Sequence, residues 1–266
     1  MEQSCALITG ASSGIGLEMA KLFAAEKMDL ILVARSKEKL NEIATQLSNL
    51  YAIETYVIAI DLSEAGSAEK VFEKVKSFKK HVDYLVNNAG FGALGAFEEI
   101  SLEEQTRMVQ LNVTTLLELT HLFLPDMLKT NSGRILNVAS TAAFQAGPTM
   151  ATYFATKAFV LSFSEALYEE LRKSSVRVTA LCPGPTHTGF GERAQISDTG
   201  LFQSKTIPVM SAAEVARIGF EAMKNGDPLV IAGPLNKVSA FSAQVFPRGL
   251  VRKMTSKIMA KVHPKI

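Results

Sequence analysis

Tyr153 and Lys157 lie four residues apart in a stretch with helical character, so their side chains project from the same helix face. A free phenol has a pKa of about 10, and a nearby ammonium favours its ionised form and lowers that value. A tyrosine with a pKa lowered toward neutral gives a proton to a carbonyl oxygen, or takes one from an alcohol, near physiological pH. Such a pair alone is more often incidental than catalytic. The prediction of acid–base chemistry therefore depends on the other motifs in the chain.

A glycine-rich segment near the amino end is the second candidate. Residues 9–16, with the sequence TGASSGIG, follow an apolar strand and open a helix. Glycines allow a tight turn and a close backbone approach to a pyrophosphate, whose charge the helix N-terminus favours. The spacing differs from the G-x-G-x-x-G fingerprint, and a plain strand-to-helix turn is the alternative. The position after the first strand favours phosphate binding.

The residues after the second strand bear on the choice of coenzyme. A site for NAD carries an acid there that binds the ribose 2′-hydroxyl, whereas this chain has Ala34, Arg35, Ser36 and Lys37. An arginine can form two hydrogen bonds to a 2′-phosphate, and Ser36 could add a third. A solvent-facing arginine is the alternative, but the context favours NADP.

Polar residues also end the third and fourth strands. Asp61 and Leu62 follow the third strand, where the Asp side chain could bond an adenine edge. Residues 87–90, Asn-Asn-Ala-Gly, end the fourth strand at the rim where open sheets bind ligands, although Asn and Gly also form simple turns. Asn112 lies within a long predicted helix, where an Asn is mildly unfavourable and usually solvated.

Apolar strands alternate with amphipathic helices through most of the chain, which implies a parallel sheet covered on both faces. With right-handed crossovers this predicts a single-domain α/β fold with a doubly wound parallel sheet of the Rossmann type. The predicted strands are 5–9, 29–34, 55–60, 82–86, 133–139, 176–182 and 229–232. The predicted helices are 15–27, 38–50, 65–78, 102–128, 152–173 and 212–224. Residues 186–209 are predicted to form a mobile substrate loop or small subdomain.

Composition limits the classes of function. The chain has 266 residues, of which 47% are hydrophobic and 20% charged, as is ordinary for a soluble globular protein. No run of about 18 apolar residues predicts a transmembrane helix, and no Lys or Arg precedes the first strand as in a signal peptide. Two distant cysteines in predicted strands favour a reducing compartment, so a cytoplasmic location is expected. Four scattered histidines lack the spacing of metal ligands, so no metal is predicted, and no nucleic-acid partner is expected.

Taken together, these motifs resemble those of the short-chain dehydrogenase/reductase family over about residues 4–232. Residues 9–16 are similar to its coenzyme loop, residues 87–90 to its sheet-stabilising motif, and residues 183–188 to the segment that holds the nicotinamide carboxamide. The residues similar to its catalytic set are Asn112, Ser140, Tyr153 and Lys157. The coenzyme site implied by the resemblance comprises Thr9, Gly10, Ser12, Ser13, Gly14, Ile15, Gly16, Arg35, Ser36, Asp61, Leu62, Asn88, Ala89, Gly90, Tyr153, Lys157, Pro183, Gly184, Thr186 and Thr188.

The mechanism implied by the resemblance is direct hydride transfer between NADP(H) and a small carbonyl or alcohol substrate. In reduction, Tyr153 would protonate the carbonyl while Ser140 holds its oxygen as negative charge develops. Lys157 would lower the pKa of Tyr153 and bond the nicotinamide ribose. Asn112 would position a water that relays protons to Lys157.

The substrate is less determined than the chemistry. Phe144, Phe190 and Phe202 are predicted to line its pocket together with Ser140, which suggests an apolar ketone, a steroid-like ring or an acyl chain. Packing in the core is the alternative for each phenylalanine. A 3-oxoacyl thioester reductase is the closest alternative activity. A nucleotide-sensing or scaffold protein without turnover is a different class, and the intact catalytic set argues against it.

The segment 234–266 is predicted to be a basic amphipathic helical extension of a catalytic domain that spans 1–233. From Pro228 to Ile266 there are seven Lys or Arg and no Asp or Glu, whereas the rest of the chain has 21 basic and 26 acidic residues. Apolar residues at helical spacing are split by Pro247. This pattern is typical of membrane-surface or partner binding. The alternative is an arm that packs on a sister subunit of a homo-oligomer, a dimer or tetramer, or that lines the substrate site.

Overall fold

The computed structural model describes residues 3–194 and 209–262. Its strands are β1 (Cys5–Thr9), β2 (Asp29–Ala34), β3 (Thr55–Ala59), β4 (Tyr84–Asn87), β5 (Arg134–Val138), β6 (Arg177–Cys182), β7 (Thr186–His187), β8 (Met210–Ser211) and β9 (Leu229–Ile231). Seven of them form one sheet in the order β3-β2-β1-β4-β5-β6-β9, and every neighbouring pair is parallel. The strands β7 and β8 form a separate parallel pair.

Helices connect the strands and cover the sheet. They are α1 (Gly14–Ala25), α2 (Lys37–Tyr51), α3 (Ser67–Ser77), α4 (Leu102–Val109), α5 (Leu116–Thr130), α6 (Ala151–Glu170), α7 (Gly189–Arg193), α8 (Ala212–Asn225), α9 (Pro234–Val245) and α10 (Arg248–Val262). A π-helical turn at Gln110–Thr115 joins α4 to α5, and a 3₁₀ turn spans Thr141–Phe144. None of the helices within the described residues is long and apolar enough to cross a membrane.

Alternate residues of each central strand point into two separate cores. On β1, Ala6 and Ile8 pack with apolar residues of α1, α2 and α8. Cys5 and Leu7 pack on the opposite face with residues of α3 and α5. Because both faces are buried, the strands are apolar at nearly every position, as parallel sheets require. This arrangement confirms the predicted doubly wound α/β fold.

The strand order reverses at β1, which pairs with β2 on one side and with β4 on the other. The chain therefore leaves β1 and β4 toward opposite faces of the sheet, and a crevice forms between their carboxyl ends. Open α/β sheets bind ligands in this crevice. The glycine loop after β1 and residues 87–90 at the end of β4 meet there.

The main departure from the sequence prediction is the helix expected over 102–128. It is interrupted by the π-helical turn, in which hydrogen bonds skip one residue further than in an α-helix. The turn rotates Asn112 inward, and its side chain is only 1% exposed. Asn112 is therefore buried, unlike most Asn residues within helices. Most other predicted elements recur, with ends shifted by three residues or fewer.

Two predicted segments extend beyond the residues that the structure describes. Within the predicted substrate loop 186–209, the structure contains β7 and α7, while residues 195–208 lie outside the described residues. The predicted tail forms the helices α9 and α10, which are separated at Pro247. A domain boundary at residue 233 stays a prediction.

Candidate active site

A cleft of about 1130 Å³ opens at the carboxyl ends of the strands. Its walls come from the residues that follow β1, β2, β3, β4, β5 and β6, and from α6, α7, α9 and α10. The sequence-predicted site residues that line it are Gly10, Ser12, Ser13, Gly14, Ile15, Arg35, Ser36, Asp61, Leu62, Asn88, Ala89, Gly90, Ser140, Tyr153, Lys157, Pro183, Gly184, Thr186, Thr188 and Phe190. The structure therefore brings most of the predicted site into one cavity. Thr9, Gly16 and Asn112 lie behind its wall.

The glycine loop is held from behind by the end of β4. The Asn88 side-chain amide donates to the backbone oxygens of Thr9 and Gly10, at 2.9 Å and 3.3 Å. The Thr9 hydroxyl donates to the Val86 oxygen and accepts from the backbone N–H groups of Asn88 and Ala89. Thr9 and Asn88 thus fix the start of the loop to the end of β4.

The glycines allow the close approach that this arrangement needs. Gly10 has a φ of +67°, and a Cβ there would lie 2.7 Å from the Asn88 amide nitrogen. A Cβ on Gly16 would lie 2.4 Å from the Gly10 oxygen. A side chain at Gly10 would displace the Asn88 amide, and one at Gly16 would displace the backbone of Gly10. The first residues of α1, Gly14 and Ile15, consequently face the cleft, where a helix N-terminus favours phosphate.

One end of the cleft is built by the residues after β2 and β3. Arg35 is exposed and lines this end together with Ser36 and Glu38. The Ser36 hydroxyl caps α2 by accepting from the Lys39 N–H at 3.4 Å. Arg35 is therefore free to reach a ligand, while Ser36 already has one partner. Glu38 is an acid at this end that the sequence reasoning did not consider.

Asp61 is bound by protein groups at the same end. Its carboxylate accepts from the backbone and hydroxyl of Ser63, at 2.9 Å and 2.7 Å, and from the Arg107 guanidinium at 2.8 Å. Burial by itself raises the pKa of Asp61, but the Ser63 hydrogen bonds and the charges of Arg107 and Arg35 outweigh it and lower the pKa. Arg107 also lines the cleft. It lies on α4, about 45 residues along the chain from Asp61, so only the fold could reveal the pair.

Tyr153 and Lys157 lie on the first turns of α6, and both side chains are buried. The Lys157 Nζ donates to the Val138 oxygen at 2.7 Å and lies 5.9 Å from the centre of the Tyr153 ring. Burial lowers the pKa of Lys157 to about 8. The lysine is therefore poised to change charge close to neutral pH.

The pKa of Tyr153 differs from the sequence expectation. Burial raises it to about 12, and the hydrogen bond with the Ser140 side chain lowers it by a smaller amount. The expected pull toward neutrality by Lys157 is not found, because desolvation of the phenol dominates and the ammonium is directed at Val138. Tyr153 is consequently protonated at neutral pH in this structure.

Ser140 stands at the end of β5 and caps the 3₁₀ turn, with its hydroxyl accepting from the Ala142 N–H at 3.1 Å. The same hydroxyl lies 3.5 Å from the Pro183 oxygen, at the limit of a hydrogen bond. Together with its hydrogen bond to Tyr153, these contacts hold the Ser140 hydroxyl at the wall of the cleft.

The side-chain amide nitrogen of Asn112 donates both of its hydrogen bonds to protein groups. The nitrogen donates to the Phe91 oxygen at 2.9 Å and to the Thr156 hydroxyl at 3.1 Å. Its oxygen accepts from the Phe91 N–H at 3.1 Å and retains one free lone pair. Only that lone pair could hold the water of the predicted relay.

The predicted substrate phenylalanines have three different outcomes. Phe190 lines the cleft, and its ring centre lies 5.2 Å from that of Tyr153. Phe144 does not line the cleft, because it packs on a separate core cluster that contains Leu116 and Val160. Phe202 lies outside the described residues.

The tail contributes a wall that sequence reasoning offered only as an alternative. Met259 of α10 is buried in the cluster that contains Tyr153 and Phe154, and the Thr255 hydroxyl donates to the Gln145 side chain at 3.2 Å. The tail residues that line the cleft are Leu235, Asn236, Ser239, Thr255, Ile258 and Met259. Helical periodicity predicted the helices but could not say which face meets the site.

No group of three or more His, Cys, Asp and Glu side chains within the described ranges is arranged to hold a metal ion. Residues 4–198 match the family model described as short chain dehydrogenase. The chain belongs to the short-chain dehydrogenase family.

Three similar proteins illustrate the range of this short-chain dehydrogenase's relatives. It is 30% identical to a very-long-chain 3-oxoacyl-CoA reductase of Anas platyrhynchos, over 83% of this chain and 70% of that protein. It superposes on a short-chain dehydrogenase from Sphingobium yanoikuyae in complex with NADPH with a TM-score of 0.79 and 31% identity, covering 90% and 92% of the two chains. A short-chain dehydrogenase/reductase from Burkholderia phymatum in complex with NAD gives a TM-score of 0.80 and 26% identity, with coverages of 90% and 92%. Membership of this family identifies the protein as an oxidoreductase that uses a nicotinamide coenzyme. The two similar structures contain different coenzymes, NADPH in one and NAD in the other.

Proposed function

We propose that the protein is an NADP(H)-dependent oxidoreductase that interconverts an apolar ketone and its alcohol. The observation that supports this most directly is that Ser140, Tyr153 and Lys157 face the same cleft as the glycine loop. The remaining wall around these groups is largely apolar, and it comprises Phe91, Leu111, Met150, Phe154, Phe190, Leu235, Ile258 and Met259. An apolar substrate would bury its surface there, next to the proton donor.

The protonation states of the site residues suit the reduction of a carbonyl group. Bound NADPH supplies the hydride. Tyr153, protonated because burial raises its pKa to about 12, is in the form that donates a proton to a carbonyl oxygen. Ser140 would hold that oxygen as charge develops. Lys157, as an ammonium below about pH 8, would stabilise the tyrosinate left behind.

The preference for NADP depends on Arg35, which is exposed at one end of the cleft. Among the described residues, the acids that line the cleft are Glu38 and Asp61. Asp61 is already bound by Arg107, so Glu38 is the acid that could compete by accepting a ribose hydroxyl. The double substitution Ala34→Asp with Arg35→Ser should move the preference from NADP toward NAD. Side-by-side kcat/KM values for the two coenzymes measure it, with Lys39→Ser, an exposed cation of α2 that does not line the cleft, as the matched control. An unmodified enzyme that prefers NAD would contradict the proposal.

The substrate class is tested by NADPH oxidation with a panel of apolar ketones, aldehydes and a 3-oxoacyl thioester. Turnover of ketones that is absent in Tyr153→Phe would support the proposal. A strong preference for the thioester would favour the second candidate, a 3-oxoacyl thioester reductase, which the avian relative suggests. Coenzyme binding without turnover of any of these compounds would favour a nucleotide-sensing role.

The cellular setting belongs to the same proposal. Cys5 and Cys182 are both free and buried, which suits a reducing, cytoplasmic environment. A homo-oligomer, dimeric or tetrameric, is expected and is tested by the mass of the purified protein in solution.

A further inference from the structure

The tail helices expose two apolar stripes. On α9, Leu235, Val238, Phe241 and Val245 recur at intervals of three or four residues, so they share one helix face. On α10, Leu250, Met254 and Ile258 form a second stripe with an interval of four. All seven side chains are between 46% and 66% exposed. We call these stripes, together with Phe246 at the turn between the helices, the docking face.

The neighbouring face of α10 attaches it to the body of the protein. Val251, Thr255 and Met259, again four residues apart, are buried, and Met259 belongs to the cluster around Tyr153. The exposed stripe therefore borders a buried stripe that fixes the helix to the protein. Exposed apolar side chains scattered singly need no explanation, but a set on two adjacent helices marks an interaction surface.

The charged residues of α9 and α10 all have one sign. Five cations of α9 and α10 are exposed, namely Lys237, Arg248, Arg252, Lys253 and Lys257. No acidic residue follows Asp227 in the chain. On a helical projection, Lys253 and Lys257 lie beside the stripe of Leu250, Met254 and Ile258, on the side away from the buried residues. A partner surface must therefore be apolar and negatively charged at the same time.

The docking face also reaches the mouth of the cleft. Leu235 and Ile258 are half exposed and at the same time line the cavity. Each stripe thus extends from the outside of its helix to the wall of the candidate substrate site.

We propose that the docking face binds the surface of an anionic lipid membrane, with α9 and α10 lying in the interface and the cleft opening toward the lipid. Apolar side chains flanked by lysines are the composition of interfacial helices. A second copy of the chain fits less well, because a symmetric contact would bring the same cations of both copies together without an acid from either tail. The access of an apolar substrate from the lipid to the cleft rests on the proposed function, whereas the membrane contact itself does not.

The test is co-sedimentation of the full-length protein with vesicles of phosphatidylcholine, alone or mixed with phosphatidylserine, at low and high salt. The first variant is Phe241→Ser with Val245→Ser, two exposed residues that do not line the cleft. Its control is Leu50→Ser, a leucine that is 70% exposed on α2. The second variant is Lys253→Gln with Lys257→Gln. Its control, Lys70→Gln with Lys173→Gln, removes the same charge from exposed lysines elsewhere.

We expect binding to the mixed vesicles, reduced by salt and close to absent for phosphatidylcholine alone. Removal of two lysines from the docking face should weaken partitioning about 30-fold, since each basic residue near an anionic surface contributes a factor of about five. The apolar variant should also lose binding, and both controls should keep it. Because sedimentation needs no turnover, these outcomes are independent of whether the enzyme reduces ketones.

Three results would overturn the proposal. The first is absence of sedimentation with the mixed vesicles. The second is an equal loss of binding in the variants and in their controls, which would indicate only non-specific charge or stickiness. The third is a dimer that dissociates on Phe241→Ser with Val245→Ser while vesicle binding is absent, which would assign the docking face to a second copy. With a water-soluble ketone the apolar variant should retain the rate of the unmodified protein. Absence of turnover by the unmodified protein would contradict the proposed function and leave the membrane contact unaffected.

Discussion

Replacement of Asn112 by Ala offers a direct test of how the π-helical turn is stabilised. The side chain makes three hydrogen bonds, two with the Phe91 backbone and one with the Thr156 hydroxyl, and it is 1% exposed. A buried hydrogen bond contributes about 1 kcal/mol net, and its loss leaves groups without water. The free energy of unfolding should therefore fall by roughly 3 kcal/mol.

The assay is urea unfolding followed by circular dichroism, with a thermal scan beside it. For a chain of this size, each kcal/mol shifts the midpoint temperature by about 2–4 °C, so a decrease of about 6–12 °C is expected. Gln110→Ala is the control in the same turn, because Gln110 is only partly buried and makes one long bond of 3.3 Å to Thr115. It should change stability by less than about 1 kcal/mol.

The predicted relay role of Asn112 leads to a different expectation for the same Asn112→Ala variant. If the residue acts only by holding a water for Lys157, Asn112→Ala should unfold at the wild-type urea concentration while turnover falls. Such an unchanged stability would refute the assignment drawn from its three hydrogen bonds. A loss of stability similar to that of Gln110→Ala would refute it as well.

Three further predictions concern the candidate site. Tyr153→Phe should abolish turnover and leave NADPH binding close to wild type in a fluorescence titration, because only the transferable proton is removed; substantial residual activity would contradict its role. The rate of reduction should decline above about pH 8, since Lys157 has a pKa lowered to about 8 and is an ammonium only below that value; a rate that stays level through the alkaline range would count against a charged lysine in the reaction. Gly16→Ala should destabilise the protein by about 1–3 kcal/mol and weaken coenzyme binding, because its Cβ would lie 2.4 Å from the Gly10 oxygen; denaturation and coenzyme titration that match the wild type would show that the loop tolerates a side chain.

The fold could be predicted because its signals are local. A strand buried on both faces is apolar at nearly every position, and a covering helix repeats its apolar residues every three or four positions, so β1 and α2 are visible in the sequence alone. The π-helical turn at Gln110–Thr115 could not be seen. Its extra residue shifts the register of the helix by one, and the apolar pattern on either side remains helical.

The site divides in the same way between local and non-local information. Tyr153 and Lys157 are neighbours on one helix, so their proximity follows from spacing. Arg107 and Asp61 meet only through the tertiary structure, as do Met259 and Tyr153. The sequence predicts the wrong direction for the pKa shift of Tyr153. The sequence shows the charge of a neighbouring residue, but it does not show how deeply the phenol is buried.

The hydrogen bonds that hold the glycine loop from behind have a thermodynamic consequence. Since Asn88 and Thr9 fix the loop to β4, its conformation is set when the protein folds and not when a ligand arrives. Fixing the backbone of one residue costs about 1–2 kcal/mol in conformational entropy. For Thr9 and Gly10, whose backbone oxygens accept from the Asn88 amide, roughly 2–4 kcal/mol of ordering cost is thereby met at folding. Removal of the Asn88 amide would transfer part of that entropy to the binding step, where calorimetry of coenzyme association would register it as a less favourable binding entropy.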